Sequence, residues 1–156
     1  MAAAVIDLRF DREPLHRRIA ESITKLYTDP SAPTATRLAL HVFWREEGLR
    51  IAIDTDRGAP EDDPSRYSHP SFAAYQFACC PAILPTTGQV RVVEVTGAAH
   101  DIDLAAQGDA AVERRLLPSL IGYLKDFSQW PRLRREGQLR AGVVMSVGGQ
   151  ATFFDA

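Results

Sequence analysis

Cysteine, lysine and long apolar runs are all scarce in this sequence. Its two cysteines, Cys79 and Cys80, are neighbours. Adjacent residues cannot close an ordinary disulfide without heavy strain, because a standard bridge requires particular Cα and Cβ separations. A disulfide-stapled fold is therefore excluded, and reduced thiols in a cytoplasmic protein are the expected state. Tyr67 to Val90 contains no Asp, Glu, Lys or Arg, but Pro70, Pro81, Pro85, His69, Gln76 and Gln89 interrupt it. It falls short of the roughly 20 predominantly apolar residues that a membrane helix needs, so no membrane partner is expected. Met1 to Ile6 meets Asp7 with no basic residue before it, which does not match a secretory leader. The phosphate-cradling patterns G-x-G-x-x-G and G-x-x-x-x-G-K-[ST] are missing, as are G-x-S-x-G and H-E-x-x-H. Asp54-Thr-Asp-Arg-Gly58 begins like a calcium loop, but its glycine comes one place early and Ser65 occupies the closing acidic position. No cofactor or metal is implied.

The chain of 156 residues is 46% hydrophobic and 24% charged, with a net charge of −2. Apolar content at that level with balanced charge excludes disorder, and the length suits one domain over residues 1–156. Charge is nevertheless uneven. Residues 111–156 carry seven basic and four acidic side chains, whereas Asp54 to Arg66 carries five acidic and two basic.

Local patterning points to an α+β fold. Asp11 is placed to cap a helix on which Leu15, Ile19, Ile23 and Leu26 recur at spacings of 4, 4 and 3. Leu38, Leu40, Val42 and Trp44 alternate with Arg37, Ala39, His41 and Phe43, and after Arg45-Glu46-Glu47-Gly48 the residues Leu49, Ile51 and Ile53 alternate again. Two period-2 runs about a glycine-containing turn predict an antiparallel hairpin. Residues 71–80, bracketed by Pro70 and Pro81, read as a short buried helix, and Val90 to Val95 as a third strand. A second helix is expected from a cap at Asp109, with Val112, Leu116, Leu120, Tyr123, Leu124 and Phe127 on one face and a kink or break at Pro118. Leu139–Val147 and Gln150–Phe154 predict a closing hairpin about Gly148-Gly149. The expected fold is a single domain with a mostly antiparallel sheet of about five strands built from two hairpins, and two main helices on one face.

Four groups of residues could carry function. Cys79 or Cys80 with His41, His69 or His100 could pair a nucleophile with a base, but only Arg66 and Arg91 flank that charge-poor stretch, and free cysteine commonly packs as a small hydrophobe. His100-Asp101-Ile-Asp103 places an imidazole and two carboxylates within four residues, as a hard-cation or acid/base site would, while the plainer reading is a polar loop between a strand and a helix. Arg132, Arg134, Arg135 and Arg140 beside Trp130 resemble a strand-binding patch, but the acidic whole makes nucleic acid an unfavoured partner, and a solvated helix end explains them more simply. His16 is expected on a solvated helix face, and His41 half-buried in its strand.

The last group is the acidic one. Asp54, Asp56, Glu61, Asp62 and Asp63 follow directly from the first hairpin, opposed only by Arg57 and Arg66. An exposed acidic loop held by a rigid scaffold suits electrostatic recognition of a basic protein. The expected function is non-enzymatic protein binding, of the kind performed by immunity or antitoxin-type inhibitors of a bacterial toxin. The alternative is a small metal-assisted or Cys/His-dependent enzyme, or a ligand-binding domain, built on His100, Asp101 and Asp103.

Overall fold

The alternating runs on either side of Arg45-Glu46-Glu47 form β2 (Arg37–Phe43) and β3 (Gly48–Asp54), paired antiparallel with Leu40 opposite Ile51. The computed structural model describes residues 6–8, 10–44, 48–55, 73–78, 89–94, 96–145 and 151–156, and at 6–8, 43, 48–49 and 73–78 it describes the backbone alone. The remaining elements are β1 (Ile6–Leu8), α1 (Arg12–Leu26), β4 (Ala73–Ala78), β5 (Gln89–Val93), β6 (Ala99–Asp103), α2 (Leu104–Gln107), α3 (Asp109–Asp126), α4 (Trp130–Arg134), β7 (Arg140–Met145) and β8 (Ala151–Asp155).

The fold is α+β. Its larger sheet has the order β4-β3-β2-β7-β8, and the smaller one the order β1-β5-β6. Antiparallel pairing dominates, but β2 runs parallel to β7 and β1 parallel to β5. Leu38, Leu40, Val42, Ile51, Ile53, Ala141, Val143 and Met145 form one core with Leu15, Ile19 and Ile23 of α1 and with Leu116, Leu120 and Leu124 of α3. Val90, Val92 and Ile102 from the smaller sheet belong to the same core. Leu49 was expected there as well, but its side chain lies outside the described residues.

The opposite face of the larger sheet buries Ala39, Ala52 and Val144, with Ala151 and Phe153 packed against them. Both faces of β2 are thus out of water, which accounts for the small Ala39 between Leu38 and Leu40. Gly142 lies opposite Phe153 in the β7–β8 pair. A Cβ at Gly142 would collide with the Thr152 carbonyl oxygen and fall 2.5 Å from Phe153 Cδ1. Gly142→Ala is therefore expected to cost about 1–3 kcal/mol by overpacking. Urea denaturation measures this, and a loss below about 0.5 kcal/mol would show that Phe153 does not lie over the glycine.

Several expectations are corrected. Residues 73–78, expected in a helix, form β4, because a short segment between prolines satisfies its backbone by extending along β3, where Tyr75 lies opposite Ile51. His100 to Asp103, expected in a loop, belong to β6, paired antiparallel with β5. Strands fall into two sheets instead of one. Asp109 lies in the first turn of α3 and Gly108 occupies the cap, while Asp103 caps α2 by accepting from the Ala105 and Ala106 amides. Pro118 does not split α3, which continues to Asp126. Pro118 and Arg114 are both exposed, so water can satisfy the Arg114 carbonyl that the missing N–H leaves free.

Candidate functional site

The acidic segment begins where β3 ends. Ile53 lies opposite Ala73, so residues 55–72 connect two neighbouring antiparallel strands, and both ends of the connection are held by one ladder. Asp56, Glu61, Asp62 and Asp63 lie outside the described residues, as do His69, Cys79 and Cys80. Asp54 does not belong with them. It is 4% exposed, and its Oδ2 lies 3.4 Å from Nη1 of the buried Arg37 directly opposite on β2. Its carbonyl accepts from the Thr36 amide at 2.8 Å and from Thr36 Oγ1 at 3.1 Å. This carboxylate serves the sheet and does not face a partner. Arg37 and Asp54 stand at matching ends of two alternating runs, so the pairing was open to reading as a cross-strand contact.

The groups of the alternative reading separate by role. Asp101 accepts two hydrogen bonds from Arg91, at 2.8 and 3.3 Å, and hydrogen bonding to this guanidinium holds its carboxyl below the ordinary aspartate value. Asp103 is committed to capping α2, and its own amide donates to Gln107 Oε1 at 2.9 Å. His100 turns the other way, with Nε2 3.3 Å from Glu94 Oε1 but outside hydrogen-bonding geometry. Among the described residues no group of three His, Cys, Asp or Glu side chains is arranged to hold a metal ion.

His100 and Asp101 nevertheless border a cleft of about 640 Å³ between β6 and α3, completed by Ala99, Ile102, Gln107, Ala111, Arg114 and Arg115. The two arginines were not singled out from sequence. Their signal was a basic pair on α3 between the buried Val112 and Leu116.

No family model, curated protein or solved structure matches the chain.

The remaining groups are structural. Trp130 is buried and donates from Nε1 to the Leu124 carbonyl at 2.9 Å, so it offers no stacking surface to a nucleic acid. Arg135 lies 3.7 Å over the Tyr27 ring, Arg132 donates to Thr24 Oγ1, and Arg140 pairs with Asp155. His16 is half-buried, where a solvated position was expected: Nε2 donates to the Tyr123 carbonyl at 2.6 Å and the ring packs edge-on against Phe127. His41 is buried on β2 opposite Arg50. Among the described residues no helix is long and apolar enough to cross a membrane.

Proposed function

We propose that this chain is a protein-binding domain that engages a basic partner through Asp56, Glu61, Asp62 and Asp63, in the manner of an immunity or antitoxin-type inhibitor. The observation carrying this reading is that the run from Asp56 to Asp63, four acidic side chains against one basic, lies in the connection from β3 to β4, two strands locked in register by Gly48↔Ala78 through Ile53↔Ala73. Removing Asp54 from the set leaves four carboxylates against Arg57 and Arg66, still a net −2 over residues 55–66 in a chain whose total is −2. Like charges gathered on one connection raise the rate at which a cationic surface arrives, without adding to the stability of the fold. The enzymatic alternative is weakened because Asp101 and Asp103 already have structural partners.

Changing Glu61, Asp62 and Asp63 together to Ala is expected to leave the melting temperature unchanged and to slow association with a basic partner about tenfold at low ionic strength. The difference should shrink as salt is added, because screening already suppresses steering. Stopped-flow association with a partner purified from the source cell is the measurement. An unchanged rate at low salt would remove these residues from the interface.

A further inference from the structure

The cleft between β6 and α3 has one wall made of backbone. In the smaller sheet β6 pairs with β5 alone among the described residues. The β5–β6 turn determines which backbone groups face outward. The Glu94 amide donates to the Ala98 carbonyl at 2.8 Å and the Gly97 amide to the Glu94 carbonyl at 2.9 Å, with Gly97 at φ +86°. That is a tight turn followed by a glycine bulge, which makes Glu94 and Ala98 a hydrogen-bonded pair. Antiparallel pairs alternate, so His100 and Ile102 direct their amides and carbonyls toward β5, while Ala99, Asp101 and Asp103 direct theirs away. Asp103 agrees with this phase: its amide is met from outside the sheet by Gln107 Oε1. Among the described residues no group meets the outward amides and carbonyls of Ala99 and Asp101 along the cleft, since Asp101 bonds to Arg91 only through its side chain.

The other wall is cationic. Arg114 makes a single long contact, Nε to the Ala110 carbonyl at 3.4 Å, and among the described residues no carboxylate lies within ion-pair distance of it. Arg115 is half exposed and lies 3.9 Å from Glu94. The one acidic side chain lining the cleft, Asp101, is neutralised by Arg91. Open strand edges are ordinarily blunted or covered, because they invite another chain to pair. Here the edge is flanked by two guanidinium groups suited to carboxylates.

We infer that β6 is a strand-addition site for an extended acidic peptide segment of a partner. The segment pairs its backbone with Ala99 and Asp101 and directs carboxylates at alternate positions toward Arg114 and Arg115. Residues two apart in a strand lie roughly 7 Å from one another on the same face, so one segment can present two carboxylates to the helix wall. Backbone pairing supplies affinity and the arginines supply selectivity, as in other strand-addition complexes. This site is separate from the acidic connection and selects the opposite charge.

The test uses a fluorescently labelled octapeptide of alternating Glu and Thr, with a Lys-Thr octapeptide as control, against the full chain. Binding is read by anisotropy, and amide hydrogen exchange is followed at Ala99 and Asp101. The Glu peptide is expected to bind and to slow exchange at both amides, and the Lys peptide to leave both amides unprotected. Arg114→Ala with Arg115→Ala should weaken binding about tenfold or more at low salt. Ala99→Pro removes an outward amide from an edge strand, a position that tolerates proline, and should weaken binding comparably with both arginines in place. Thermal unfolding of each variant confirms that it is folded. The inference is overturned if the Glu peptide does not bind, if it binds without protecting Ala99 and Asp101, or if Ala99→Pro binds it normally. Displacement of the peptide by inorganic phosphate from wild type and Ala99→Pro alike would reduce the cleft to a simple anion site. Protection of the same amides by self-association, without peptide, would assign the edge to a second copy of the chain. Either result overturns the inference.

Discussion

Asp54→Ala is expected to destabilise the fold by about 3–5 kcal/mol, the usual loss when one partner of a buried ion pair is removed. Arg37 and Asp54 are 6% and 4% exposed and face one another across β2 and β3. Without the carboxylate, the Arg37 guanidinium stays in the sheet beside Phe153, whose ring centre is 5.9 Å from it. The Arg37 charge then loses the carboxylate that helps offset its desolvation, and this asymmetry makes the single change worse than losing the pair. Replacing both together, Arg37→Met with Asp54→Leu, should recover most of the loss, because apolar side chains of similar volume need no hydrogen-bond partners. Urea unfolding of the two variants gives the comparison. A loss below about 1 kcal/mol for Asp54→Ala would place its carboxylate in water and return it to the acidic surface.

Ile51→Ala is expected to cost about 2–5 kcal/mol, the range for a large aliphatic side chain cut back to a methyl in a packed interior. Ile51 is fully buried and lies between Leu40 of β2 and Tyr75 of β4, so strands on both sides limit how far the site can collapse. The denaturation midpoint should fall with little change in slope, because the surface exposed on unfolding is nearly the same. A loss under about 0.5 kcal/mol would mean that β3 presents its other face to the helices.

The elements legible in the sequence were those whose signal is local. The β2–β3 hairpin shows a period of two on both arms, and α1 shows Leu15, Ile19 and Ile23 one turn apart; both form as expected. The face of α3 from Val112 to Leu124 is likewise buried as its spacing required, and so is Phe127 just beyond the helix. β4 and β6 were misread because their neighbours decide them. Ala73–Ala78 has no strong period of its own and extends because β3 offers an unpaired edge, and Ala99–Asp103 is drawn out by β5 despite its polar side chains.

The candidate sites divide in the same way. Charge is written residue by residue, so the acidic run from Asp56 to Asp63 and the Arg114-Arg115 pair can be seen without any coordinates. Whether a charged group is available depends on what lies opposite it. Register buries Asp54 against Arg37, and strand pairing spends Asp101 on Arg91. The α+β class, the first hairpin, the two main helices and the uneven distribution of charge were all legible in residue order, because each follows from short-range periodicity or composition. That β2 and β7 run parallel, that the strands divide into two sheets and that, among the described residues, β6 pairs on one side alone beside two arginines emerges from the folded chain. These features arise from backbone pairing between segments far apart in the chain, where hydrogen bonds join peptide groups that are the same in nearly every residue and leave almost no mark on the local sequence.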